Sequence, residues 1–154
     1  MNVSLKVNGR SYSLEVRENE RLVDVLRYRL GLMGVKEGCG EGDCGVCMVL
    51  MDGVPVHSCL VLAYRADGSN VTTVEGIGSA ESLHPVQRAF VDAGAVQCGY
   101  CIPAAVLVAK WLHDRRLSSK EQVRWAFRGI MCRCGSYVRF EEAVRLAAAR
   151  SGSV

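Results

Sequence analysis

Two sets of cysteines constrain this chain more than any other feature of its sequence. The chain has 154 residues and eight cysteines. Cys39, Cys44, Cys47 and Cys59 form a C-x4-C-x2-C run followed by a fourth, more distant cysteine. Cys98 and Cys101 form a C-x2-C pair, and Cys132 and Cys134 a C-x-C pair beyond a long insert. None is left over. The first spacing matches the plant-type [2Fe–2S] arrangement, in which four thiolates hold two irons. Gly38, Gly40, Gly42 and Gly45, with Gly34 just upstream, suit that role. Without a Cβ the backbone approaches closely, and its N–H groups can point at sulfur.

Zinc is the rival metal, since it also takes four cysteines, usually as C-x2–4-C pairs. The C-x4-C-x2-C wrap fits zinc poorly. The C-x-C pair is unusual for structural zinc, but spacing alone leaves the second set open. A secreted disulfide framework is a third reading of so many cysteines. The start, Met1-Asn2-Val3-Ser4-Leu5-Lys6, has no apolar signal region, so no export is expected. A cytoplasmic location follows, because reducing conditions keep ligand thiols free. No apolar run reaches the length of a membrane span.

The chain divides into two halves of different period. In the first, Val3, Leu5 and Val7 alternate, Asn8-Gly9 signals a type I′ hairpin, and Tyr12, Leu14 and Val16 return. Leu22, Val25, Leu26 and Leu30 follow a helical period that Gly31 stops. Met48–Met51, the Asp52-Gly53 turn and Val54–Val56 predict a second hairpin, and 71–75 a last strand. The result is a small mixed sheet on one helix. The second half predicts four helices: 83–93, one from Pro103 to about 113, one capped by Ser119 and Gln122, and 137–150. The third would present Val123, Ala126, Phe127 and Ile130. The boundary falls in the Gly-Ser-Ala-rich stretch 76–82, giving domains 1–78 and 79–154. Each pair of the second cysteine set then sits ahead of a helix, whose N-terminus favours negative charge.

Nothing else in the sequence carries chemistry. It contains no dinucleotide fingerprint, P-loop, zinc-protease or nucleophile-elbow motif. His57, His84 and His113 form no ligand or base spacing, and Met33, Met48 and Met51 read as packing residues. Glu37, Glu41 and Asp43 read as an acidic rim near the first set, with potential tuning or docking as the functional reading. The formal net charge is +3, and the late arginines are dispersed among acids. No concentrated basic patch with stacking aromatics exists for nucleic acid. Only 6% of residues are aromatic. So thin a core would gain from cofactors or a partner surface.

The stretches VKEGCGEGDCGVC, Ser58-Cys59, GAVQCGYC and GIMCRCGSY resemble the small iron–sulfur subunit of the xanthine dehydrogenase and aldehyde oxidase family of molybdenum hydroxylases. The resemblance spans roughly residues 3 to 150. It implies an α+β fold, a β-grasp plant-type [2Fe–2S] ferredoxin domain followed by a four-helix [2Fe–2S] domain. It implies two clusters, one on Cys39, Cys44, Cys47 and Cys59, the other on Cys98, Cys101, Cys132 and Cys134. It places Gln97 and Cys134 beside a molybdenum-pyranopterin held by a large partner subunit. Electrons would leave that subunit through the second-half cluster and then the first, usually to a medium FAD subunit, with a dimer of heterotrimers as one possible assembly. A reductase with reversed flow, a free two-cluster ferredoxin and a zinc-stapled interaction module are the alternatives. Two departures stand out. Ile102 and Ala104 replace a threonine and a glycine, and Gly135-Ser136 replaces Thr-Gly. Restoring threonine at position 135 is therefore expected to change the second cluster's potential without loss of iron.

Overall fold

A computed structural model describes residues 1–150. The last four residues of the expected second domain, 151–154, lie outside the described part. Strand β1 (Asn2–Val7) turns through Asn8 and Gly9 into β2 (Arg10–Glu15), with φ of 50° and 81° at the two turn residues. Asp52 and Gly53 repeat this between β3 (Met48–Met51) and β4 (Val54–His57), with φ of 50° and 76°. Positive φ at both central residues matches the twist of the flanking strands. A short β5 (Asn70–Thr72) completes a mixed sheet of order β2-β1-β5-β3-β4. β1 and β5 run parallel, and the other neighbours are antiparallel. Pro55 is tolerated because β4 is an edge strand.

Two of these elements depart from the periodic reading. Helix α1 is regular only over Leu22–Asp24 and then widens over Val25–Arg29, where Leu30 N–H bonds to Val25 O at 3.0 Å. Leu22, Val23, Val25 and Leu26 are all buried there, and Arg27 Nη1 donates to Val35 O. The last strand stops at Thr72 rather than position 75. Asn8 Oδ1 takes the Thr73 amide at 2.8 Å, and the chain leaves the sheet in a tight turn over Val74–Gly76.

The second half forms α2 (Pro85–Asp92), α3 (Ile102–Asp114), α4 (Lys120–Phe127) and α5 (Tyr137–Arg150). Ser119 and Gln122 make the expected capping box, and His84 with Gln87 makes another. Helix α4 ends before Ile130, which is nevertheless buried in the helical core. Phe140 lies at that core's centre, 5.5 Å from Phe90 and 5.2 Å from Phe127 between ring centroids. A separate core joins Val3, Leu5 and Val7 of the sheet to Leu22 and Leu26 of α1. Val46 and Met48, from the sheet half, belong to the helical core. Met33 does not pack as expected; it is 50% exposed. Among the described residues, no helix is long and apolar enough to cross a membrane.

Candidate metal centres

None of the eight cysteines forms a disulfide. The first set lies on the loop between α1 and β3, with Cys59 in the turn after β4. Three amides point at its sulfurs. Cys39 N–H donates to Cys44 Sγ at 3.3 Å, and Glu41 and Cys44 N–H each donate to Cys39 Sγ at 3.4 Å. The amides of Cys44 and Glu41 pull the exposed Cys39 thiol down to about 7. Burial, followed by the neighbouring Cys47 thiol, pushes Cys59 up to about 11. Glycine is required where the loop is tightest. A Cβ on Gly38 would lie 2.8 Å from Cys44 Sγ, and one on Gly42, at φ +87°, 2.5 Å from Leu60. Ser58 is fully buried and donates through Oγ to Cys47 O at 2.6 Å. It fixes Cys47 against the turn that carries Cys59. Its hydroxyl is a role that sequence reasoning missed; a serine beside a cysteine is too common to signal it.

The second set surrounds the start of α3 and the approach to α5. Cys101 is the N-terminal flanking residue of α3, and Cys132 and Cys134 precede α5. Burial, then the adjacent Cys132 thiol, pushes Cys101 up to about 12. Burial also opposes ionisation of Cys132, but hydrogen bonds outweigh it and lower its pKa, the Ser136 amide leading at 3.4 Å from Sγ. Tyr137 Oη accepts from Cys132 N–H at 2.8 Å and donates to Ile130 O at 3.0 Å, locking this loop. Gln97 Nε2 donates to Cys134 O and to Ser136 Oγ, both at 3.3 Å. Ser136 is buried, so its hydroxyl is held at this loop.

The two sites touch. Met131 N–H donates to Cys44 O at 2.8 Å, and Tyr100 Oη donates to Glu37 O at 2.6 Å. Thiols neighbour each other in pairs: Cys39 with Cys44, Cys47 with Cys59, and Cys101 with Cys132. Paired soft donors with amides aimed at sulfur suit a dinuclear cluster. His84 and His113 meet edge to face at 5.8 Å between ring centroids.

The fold and these thiols define a two-domain iron–sulfur protein. Residues 5–75 match the family described as 2Fe-2S iron-sulfur cluster binding domain, and residues 73–145 the one described as [2Fe-2S] binding domain. The small FeS subunit of nicotinate dehydrogenase from Eubacterium barkeri is 43% identical over 96% of this chain and 95% of its own length. The aldehyde oxidoreductase from Desulfovibrio desulfuricans superposes with TM-score 0.93 and 43% identity, over 99% of this chain but only 17% of that longer one. Quinoline 2-oxidoreductase from Pseudomonas putida 86 superposes with TM-score 0.90 and 38% identity, over all of this chain and 98% of its own. This chain therefore belongs to the small iron–sulfur subunits of the xanthine dehydrogenase and aldehyde oxidase family of molybdenum hydroxylases. Its role is electron transfer within an oxidoreductase.

Proposed function

We propose that this chain relays single electrons between the molybdopterin site of a large subunit and a medium FAD subunit or other acceptor. In this reading Cys39, Cys44, Cys47 and Cys59 hold one [2Fe–2S] cluster, and Cys98, Cys101, Cys132 and Cys134 the other. Each such cluster, when bound, accepts and releases one electron. The protein's part is to supply thiolates, aim amides at them and hold the two sites in register. The observation that carries the reading is the contact between sites, Met131 N–H to Cys44 O at 2.8 Å, which ties the two cysteine loops together. Domains 1–78 and 79–154 each contribute one site.

Gln97 and Cys134 face the large partner. Gln97 Nε2 already bonds the Cys134 carbonyl, so the pair is ordered before any partner arrives. Electrons run from the large subunit to the second-half site and then to the first. The complex acts on a CH or CH–NH type substrate, and the large partner chooses which. Relatives 38–43% identical to this chain belong to enzymes named for nicotinate, aldehyde and quinoline, so this chain's sequence does not track substrate. A cytoplasmic setting suits this reading, because reducing conditions keep cysteines available as cluster ligands.

The test is the composition of the native complex recovered through a tag on this chain. Iron and acid-labile sulfide, about four of each per chain, with a stoichiometric molybdenum-containing partner are expected. Four irons without that partner would turn the reading to a free ferredoxin. Zinc without sulfide would remove the clusters altogether.

A further inference from the structure

The acidic rim of the first site is not uniform. Glu41 and Asp43 are exposed, but Glu37 is held on two sides. Its backbone carbonyl accepts from Tyr100 Oη of the second-site loop at 2.6 Å. Its carboxylate accepts from Arg21 Nη1 at 2.5 Å. Arg21 is itself oriented by Asp24, through Nε at 2.9 Å and Nη2 at 2.8 Å. The Arg21 and Glu37 side chains are only 33% and 25% exposed, so solvent screens this pair less than a surface one. The pair lies directly against the cysteine loop. A Cβ built on Gly40, the residue after Cys39, would meet Glu37 Oε1 at 3.4 Å and Arg21 Nη1 at 3.5 Å.

We propose that Arg21 is a positioning residue for the first site that also sets its electrostatic field, cancelling the Glu37 charge beside Cys39 and making a cluster there easier to reduce. A bidentate bond from Arg21, which precedes α1, to Asp24 in its first turn aims the guanidinium, whose planar fork suits this double engagement. Tyr100 completes the arrangement from the other domain by fixing the Glu37 backbone. Glu37 is thus the junction at which α1, the first cysteine loop and the second cysteine loop meet. Loss of Arg21 would leave the Glu37 carboxylate uncompensated against the cysteine loop. Added negative charge disfavours the reduced, more negative state.

The proposal rests on the reading that Cys39, Cys44, Cys47 and Cys59 hold a [2Fe–2S] cluster, so iron and acid-labile sulfide are measured first in the native complex and each variant. Absence of both from the wild type defeats that reading. With iron retained, a dithionite titration followed by electron paramagnetic resonance tests the proposal itself. Arg21→Gln is expected to lower the reduced-to-oxidised ratio of the first-site cluster about threefold to tenfold at fixed potential, or ~30 to 60 mV. Arg21→Lys keeps the charge and stays close to wild type, and the second-site signal does not move. Glu37→Gln raises the first-site potential, and the double variant Arg21→Gln, Glu37→Gln returns it toward wild type. An unmoved potential in iron-replete Arg21→Gln overturns the proposal, as does an Arg21→Lys shift equal to it. If Arg21→Gln does not retain first-site iron, Glu37→Gln decides alone, and a potential that fails to rise overturns the idea.

Discussion

A Cβ placed on Gly45 would lie 1.7 Å from the carbonyl oxygen of Gly129, so the first cysteine loop rests on the backbone that leads to Cys132. The bond from Met131 N–H to Cys44 O lies at the same contact. Glycine is needed there twice over, for its φ of +68° and for the missing side chain.

Gly45→Ala should therefore destabilise the chain by about 2–5 kcal/mol, combining a disfavoured φ with overpacking against backbone. The melting temperature would fall by roughly 5–15 °C. Gly9→Ala is the control, because Gly9 has a φ of +81° and open space around it. Calorimetry that gave the two variants equal losses would show that the contact with Gly129 contributes nothing.

Ser136→Ala should lower the second cluster's potential. Its amide and hydroxyl both favour the Cys132 thiolate, and its Oγ also accepts from Gln97. Fewer hydrogen bonds to a ligand sulfur disfavour the more negative reduced state. The substitution suggested by family resemblance, Gly135→Thr, is the wrong probe. Gly135 has a φ of +74°, where a β-branched residue costs about 1–3 kcal/mol in strain. A redox titration with the second-site potential unchanged in iron-replete Ser136→Ala would remove the hydroxyl from the account.

Cys59→Ala and Cys101→Ala should each reduce iron from about four to about two per chain, with different electron paramagnetic resonance signals surviving. The two residues lie in separate thiol groups, beside Cys47 and Cys132 respectively. Full iron retention in either variant would remove that cysteine from the ligand set.

Acid should weaken the cap of α2. His84 Nδ1 accepts from Val86 N–H at 3.2 Å, which requires a neutral ring. Burial lowers the His84 pKa from 6.5, Lys110 and His113 add to the effect, and Asp114 opposes it. The unfolded chain therefore takes up the proton first as pH falls. Stability from this cap is present above the ordinary histidine value and is lost as pH falls through it toward the folded value. The melting temperature should drop between about pH 7 and 5, and less so in His84→Asn, which caps without titrating. Equal acid sensitivity in both proteins would rule out the imidazole as the cause.

Much of this architecture was legible residue by residue. Asn8-Gly9 and Asp52-Gly53 turn as their composition demands, and Ser119 with Gln122 caps α4. The widened turn of α1 was not legible, because Leu22, Val23, Val25 and Leu26 also fit a regular amphipathic helix. The end of β5 was hidden because it depends on Asn8, which is beside Thr73 in the fold but 65 residues away in sequence. The sequence singled out Gln97 through its family context, but not its hydrogen bond to Ser136.

By itself the sequence determined the two cysteine sets, the hairpin turns, the helix caps and the membership of an iron–sulfur family. These depend on residue types a few positions apart, and spacing along a chain is enough to specify them. Only the tertiary structure decided that Cys44 bonds Met131, that Tyr100 reaches Glu37, and that Arg21 pairs with Glu37. Each of these joins distant parts of the chain. The two contacts between halves accompany the packing of Val46 and Met48 into the helical core, where the first cysteine loop meets the second.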